Sequence, residues 1–154
     1  MRKKDREITN FEEIEEILNK NNICRLGMVN KSIPYVIPIS YGYKDRIFYF
    51  HTGYNGLKIE ILKKNPEVCI EIDQNIHIIS GITACKYSVA YQSINVFGKA
   101  EFIENMTEKT NALNIIMKNA TQNEDWDYTT EIVQKTCIIK VPIREIFGKK
   151  KDEE

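Results

Sequence analysis

Apolar and polar residues recur along this chain with two distinct periods. Phe11, Ile14, Ile17 and Leu18 are spaced as one face of a helix among glutamates, which predicts an amphipathic helix opening at Asn10 and ending at Asn21-Asn22. Asn10 with Glu13 three residues on has the form of a capping box. Ile23 to Val29 reads as a strand, and Asn30-Lys31-Ser32 as its turn. From Pro34 to Tyr43 the period is two: Tyr35, Ile37, Ile39, Tyr41 and Tyr43 share one face, and Val36, Pro38, Ser40 and Gly42 the other. Lys44-Asp45-Arg46 is a hairpin connection into Ile47–Phe50, which runs on into His51-Thr52-Gly53. Asn55 is placed to cap a helix over about 55–64, with Lys58 near its third position, and Asn65-Pro66 stops it.

Further on, Val68 to Asp73 is a strand with Val68, Ile70 and Ile72 on one face. Residues 74–85 have no clean period and read as a loop at a pocket mouth. Lys86 to Ile103 is a long strand region whose apolar parity shifts between Tyr91 and Ile94, predicting a bulge in a curved sheet. Asn105 with Glu108 offers a second capping box, followed by the helical stripe Leu113, Ile116, Met117 and Ala120. Residues 121–128 are polar and hold Trp126; Thr136 to Val141 is a last strand closed by Pro142. The ends are charged: residues 1–9 read as an arm, and 149–154 as a disordered tail after a single domain over 1–148. Six or so strands with three helices predict an α+β fold with a mainly antiparallel, barrel-like sheet.

Composition narrows the function classes. The chain has 154 residues and zero formal net charge, so no global field draws it to nucleic acid or a membrane surface, and any anion site must be built locally. No apolar run reaches the length of a spanning helix, and the basic N-terminus has no apolar stretch behind it, so a cytoplasmic location is the expectation. Cys24, Cys69, Cys85 and Cys137 form no C-x-x-C pair and have no ligand spacing with His51 or His77, so no metal site is expected. Three of the cysteines sit in apolar strand settings; Cys85, in the most loop-like one, is the best candidate for a reactive thiol, although an ordinary structural role is favoured for it too. The chain lacks G-x-G-x-x-G, G-x-x-x-x-G-K-[ST] and G-x-S-x-G, which argues against a dinucleotide fold, a P-loop and a nucleophile elbow.

The junction from His51 to Lys58 concentrates the chemistry. An imidazole, a hydroxyl, an ammonium and the free N–H groups of a helix start converge there, a combination suited to a phosphate. By spacing alone, Lys58 reads first as a solvated helix lysine, and His51 reads as well as a strand-end histidine bonded to nearby backbone as it does as a site residue.

The run Tyr49-Phe50-His51-Thr52, then Gly56, Lys58 and Asn65-Pro66-Glu67-Val68-Cys69, resembles the flavin-binding split-barrel family typified by pyridoxamine 5′-phosphate oxidase, and within it the 5-nitroimidazole-resistance proteins most. The resemblance takes in the N-terminal Arg2–Ile8 and Cys24-Arg25-Leu26-Gly27. It extends through Tyr91-Gln92-Ser93-Ile94 and Gly98-Lys99-Ala100, to about residue 120. It implies a six-stranded, mainly antiparallel split barrel with flanking helices, binding FMN. Thr52 and Lys58 would hold the FMN phosphate. Pro38, Ile39, Ser40 and Tyr41 would run along the flavin ring, and His51 would sit beside ring or substrate as the candidate catalytic residue. Ser93, with Gln92 as fallback, would complete the flavin site of the partner in a two-fold homodimer, although Tyr87, Tyr91 and Ser93 also read as a plain core-facing stripe. Arg25 could serve the site or a surface ion pair.

The resemblance implies a reductase acting on small aromatic, nitroimidazole-like acceptors. A pyridoxamine phosphate oxidase proper is disfavoured, because Thr136–Gly148 shows no basic strand motif beyond Arg144. The alternatives are a flavin- or haem-binding carrier or sensor without turnover, with His51 as axial ligand, and an interaction domain that has lost its cofactor; Thr52 and Lys58 weigh against the latter.

Overall fold

The computed structural model describes residues 4–123 and 126–152. Its strands are β1 (Glu7–Ile8), β2 (Ile23–Asn30), β3 (Ile33–Ser40), β4 (Gly42–Lys44), β5 (Ile47–Thr52), β6 (Glu67–Ile79), β7 (Ser88–Lys99), β8 (Glu101–Ile103) and β9 (Cys137–Lys151). Its helices are α1 (Phe11–Lys20), α2 (Leu57–Lys64), α3 (Met106–Thr121) and α4 (Thr130–Lys135). The sheet runs β3-β2-β6-β7-β9-β5-β4, with β1 and β8 added along β9, and every pairing is antiparallel. Strands β3 and β4 stand at opposite ends of that order yet are joined through Tyr41 alone. They are two halves of one bent strand, so the sheet curls back on itself with six staves: β3/β4, β2, β6, β7, β9 and β5. This is the expected α+β barrel.

Alternation builds the interior. Leu26, Met28, Tyr41, Tyr43, Phe48, Phe50, Ile70, Ile72, Ile94, Val96, Ile139 and Val141 fill the barrel, closed by Ile14, Ile17 and Leu18 of α1 and by Ile59, Ile61 and Leu62 of α2. Tyr41, Tyr43 and Phe48 pack ring against ring, with centroids 5.1 and 5.2 Å apart. A smaller apolar cluster lies outside the barrel, where Ala112, Leu113 and Ile116 of α3 and Val133 of α4 cover Ile103 and Ile138. Gly42 permits that packing, because a Cβ there would lie 2.6 Å from the Ile116 backbone nitrogen. The hairpin between β4 and β5 turns on Asp45 and Arg46, both at positive φ (51° and 63°), the primed turn whose twist matches the strands.

Several expectations need correction. Residues 74–79 are strand, not loop: β6 continues to Ile79, paired with Ser88, Val89 and Ala90 of β7. The bulge falls on β6 at Asn75 (φ 55°) and again between Phe97 and Gly98, not between Tyr91 and Ile94. In β7 the even positions Ala90, Ile94, Val96 and Gly98 are buried and Gln92 between them is half-buried, so the inward parity holds and the apparent shift came from apolar residues on the outer face. The last strand passes through Pro142, which sits where β9 leaves β5 and takes up β7, a place where a missing N–H is tolerated. The charged tail is strand as far as Lys151, paired with Tyr91, Gln92 and Ser93; residues 153–154 lie outside the described residues. In the N-terminal arm Glu7 and Ile8 pair with Lys149 and Gly148, and Ile8 is buried; residues 1–3 lie outside the described residues. Helix α4, capped by the Thr129 side chain, has no counterpart in the sequence reading. Glu13 does not close a capping box. Asn10 accepts from the Glu12 N–H, and the Glu13 carboxylate takes Lys150 and Gln92.

Candidate functional site

Strand β5 divides its side chains between two environments. Phe48 and Phe50 point into the barrel, whereas His51 is exposed on the outer face and Thr52 is half-buried. The chain then passes through Gly53-Tyr54-Asn55-Gly56 into α2. Asn55 does not cap this helix. Gly56 does, at φ 115° and without a side-chain bond, and the amides of Ile59 and Glu60 return to its carbonyl at 3.0 and 3.2 Å. Lys58 is therefore the second helical residue, half-buried, and the N–H groups of Leu57 and Lys58 have no acceptor within the helix. A Cβ built on Gly53 or Gly56 meets nothing within 4 Å, so the loop is open toward an incoming group. A hydroxyl, an ammonium and free amides around an open glycine loop form a donor set that fits a phosphate.

The other half of the site comes from β3. That strand pairs only with β2, which leaves its second edge unladdered. In the β4–β5 ladder Gly42 lies opposite Tyr49. The same register continued past Gly42 sets Ser40 alongside His51 and Ile39 alongside Thr52, and β3 does approach β5 there without forming a ladder. This opening is the split of the barrel. Pro38 and Ser40 are exposed on its outer face, on the same side as His51, and Ile39 is half-buried.

Tyr41 does not belong to this group. Its side chain is 1% exposed, its hydroxyl donates to the Leu18 carbonyl at 2.8 Å, and its own N–H donates to the Asn22 carbonyl at 3.1 Å. It pins the bend between β3 and β4. Burial holds its phenol proton firmly, with Cys24 and Tyr43 adding to the effect.

Ser93 is not brought to the split within one chain. It pairs with Asp73 on one side and Lys149 on the other, whereas His51 pairs with Ile138, roughly 36 Å of strand away along β9. Gln92 is committed to structure: its carbonyl accepts from Gln74 (2.7 Å) and Asn75 (2.9 Å), and its amide donates to Glu13 (3.2 Å). Tyr87 and Tyr91 are not core-facing. Tyr87 is exposed, and Tyr91 lies on the outer face under the Lys149 ammonium. Burial raises the Tyr91 phenol pKa, but hydrogen bonds from Lys149 and Arg6 outweigh it and the net shift is downward.

Arg25 makes the surface pair that the sequence left open. Its guanidinium binds Glu71 at 3.1 Å and also Asp73, on the outer face across from Pro38. Burial, then the neighbouring Asp73, pushes the Glu71 carboxyl upward against the pull of Arg25. Burial pushes the Cys24 thiol up to about 12 and also raises Cys69 and Cys137, while Cys85 is exposed in the 3₁₀ turn Ala84–Lys86. Among the described residues no group of His, Cys, Asp and Glu could hold a metal ion. None of their helices is long and apolar enough to cross a membrane.

Sequence reasoning missed Lys109. It lies on α3 with 3% exposure and donates to the hydroxyl of Tyr54, in the loop after Thr52. Its only sequence signal was a lysine in step with the apolar positions Ala112, Leu113 and Ile116. A groove of about 840 Å³ lies elsewhere, between α1, α3 and the β4–β5 hairpin, lined by Glu15, Tyr43, Asp45, Tyr49 and Asn114 among others; it holds none of the candidate residues.

Known proteins place this architecture. A proposed 5-nitroimidazole antibiotic resistance protein from Bacteroides thetaiotaomicron is 34% identical, with a TM-score of 0.81 over 96% of this chain and 90% of its own. A FAD- and haem-binding protein from Mycobacterium smegmatis shares the fold at 16% identity, with a TM-score of 0.88 over 96% of this chain and 74% of its own. The flavocytochrome Anf3 from Azotobacter vinelandii does so at 17% identity, with a TM-score of 0.84 over 96% and 70%. No curated protein matches the chain. The family model described as pyridoxamine 5′-phosphate oxidase matches residues 10–150, nearly all of the barrel that carries the split, and on that match the chain belongs to the pyridoxamine 5′-phosphate oxidase family.

Proposed function

We propose that the protein binds FMN along the split between β3 and β5 and uses it as a cytoplasmic reductase of small aromatic acceptors of the nitroimidazole type. The observation that carries this reading is the approach of β3 to β5 at the split, where the β4–β5 register carried past Gly42 sets Ser40 and Ile39 alongside His51 and Thr52, next to the open loop that leads to Lys58. Thr52, Lys58 and the amides of Leu57 and Lys58 at the start of α2 would hold the phosphate, and the free edge of β3 would offer backbone groups to the ring. A bound flavin supplies the electron transfer. His51, exposed beside Ser40, would bind the acceptor or pass it a proton near neutral pH. The 34% identical relative, itself proposed to act in 5-nitroimidazole resistance, supports the choice of acceptor.

A homodimer completes the site in this reading. Exposed Ile23 and Val36 lie on β2 and β3, next to the split, exposed Phe97 and Phe147 lie on β7 and β9, and the β6–β7 hairpin carries exposed Ile76, Ile78, Ile82, Tyr87 and Val89. Among the described residues that hairpin pairs only with itself beyond Tyr91, and a two-stranded arm with apolar side chains calls for a partner surface. Ser93, remote from the split of its own chain, would then serve the split of the other.

A second reading, a flavin or haem carrier without turnover, rests on the FAD- and haem-binding protein of the same fold. The test is titration of the purified protein with FMN, followed by fluorescence and by absorbance. Binding of one FMN per chain, with turnover of a nitroimidazole by a nicotinamide donor, is the expected result. FMN binding without turnover, or a Soret band with haem, would favour the carrier. Absence of flavin binding would sink the redox reading.

A further inference from the structure

Lys109 is the only charged residue that is buried among the described residues. It stands near the start of α3, close to the positive end of the helix, where a cation is least welcome. Its ammonium donates to the Tyr54 hydroxyl and to the Thr136 carbonyl (3.1 Å), and it lies 5.1 Å from the centroid of the Tyr54 ring. These partners are all neutral, and no described carboxylate reaches it within ion-pair distance. Hydrogen bonds and a ring face offset part of the cost of burying the ammonium but leave its charge unbalanced, which favours an anion placed nearby.

The position of the ammonium says where that anion would lie. Tyr54 belongs to the open loop Gly53–Gly56, and Thr136 precedes Cys137, which pairs directly with Thr52. The cation thus sits behind the loop that Thr52 and Lys58 flank. The Cys137 thiol feels the same surroundings: burial raises its pKa, Lys109 pulls it down, Glu104 pushes it up, and Lys63 and Lys58 add smaller downward pulls.

We infer that Lys109 is a positioning residue for a phosphate monoester dianion, fixing Tyr54 and with it the loop, and setting a buried positive charge behind the bound phosphate. This rests on the FMN reading above and assigns Lys109 and Tyr54 to its phosphate end. Riboflavin, which has the ring without the phosphate, separates the two ideas. Wild type is expected to bind FMN more tightly than riboflavin. Lys109→Met, which keeps the aliphatic stem, should weaken FMN about tenfold and leave riboflavin unchanged. Tyr54→Phe keeps the ring but removes the hydroxyl, and should lose FMN selectively to a smaller extent, about threefold; it carries the test if Lys109→Met does not fold.

Equal losses for both ligands would reduce Lys109 to a structural residue and overturn the inference. Equal wild-type affinity for FMN and riboflavin would overturn it too, while leaving the flavin reading standing. Should neither flavin bind, the flavin reading fails, and thermal stabilisation by inorganic phosphate over chloride at equal ionic strength decides Lys109. A wild-type shift that Lys109→Met abolishes upholds the anion site, and no shift sinks it.

Discussion

Lys58→Ala separates the functional from the structural role of this residue by sign. As the second residue of α2, Lys58 puts a positive charge at the positive end of a helix, which costs about 0.3–0.5 kcal/mol, and alanine is at least as good a helix former. Without ligand the variant should therefore be slightly more stable, by about 1 °C in Tm for a chain of this length. With FMN the sign reverses. A charge-assisted bond to phosphate contributes about 1.5–3 kcal/mol, and the half-burial of Lys58 leaves part of that screened by water, so about 1–2 kcal/mol is the expected loss. At tenfold per 1.4 kcal/mol this is a roughly 5- to 30-fold rise in Kd. At saturating FMN it lowers Tm by about 2–8 °C relative to wild type. Fluorescence titration gives the Kd, and melting with and without FMN gives both signs. An unchanged Kd would remove Lys58 from the site, and a loss of Tm without ligand would show that the lysine serves the fold.

His51 is exposed, so His51→Ala should leave Tm within about 1 °C and FMN affinity nearly unchanged while lowering acceptor turnover; a variant that merely unfolds would return His51 to a structural role. Truncation after Gly148 removes the pairs of Lys149, Lys150 and Lys151 with β7 and the Lys150–Glu13 bridge at 2.9 Å. It should cost about 1–3 kcal/mol in urea unfolding, whereas a disordered tail would cost nothing. The Cys24 thiol is held at about 12 against an ordinary value of 9.0, chiefly by burial and secondarily by the Glu71 charge. Its folded pKa is raised, so its contribution is complete below pH 9 and is lost as pH climbs from 9 to 12. Cys24→Ala should make the urea midpoint fall less steeply over that window, and an unchanged slope would refute the shift.

The candidate site was legible where one stretch of chain supplies both the geometry and the chemistry. His51, Thr52, Gly56 and Lys58 follow one another across a strand end, a loop and a helix start, and local periodicity places them correctly to within a residue of the cap. The resemblance put Tyr41 along the flavin ring with Pro38, Ile39 and Ser40, whereas its hydroxyl and N–H are spent on Leu18 and Asn22, partners that only the packing of α1 and the segment after it supplies. Lys109 was overlooked because its neighbours, Tyr54 and Thr136, are far from it in sequence.

By itself the sequence determined the elements whose driving force is local. The stripe of α1, the Asn10 and Asn105 caps, the turn at Lys44-Asp45-Arg46 and the Pro66 stop are set by neighbours within a few residues. The tertiary structure alone decided what depends on a second strand. Residues 74–79 carry apolar residues on the solvent side and take their order from the β7 ladder, and 149–151 become strand because Tyr91–Ser93 and Glu7 offer unpaired edges. The bend at Tyr41 likewise exists only once the barrel closes, and it brings β3 up to β5 without a ladder between them. Main-chain hydrogen bonds between strands are blind to side-chain character, so a charged or aperiodic segment joins the sheet wherever an edge is waiting for it.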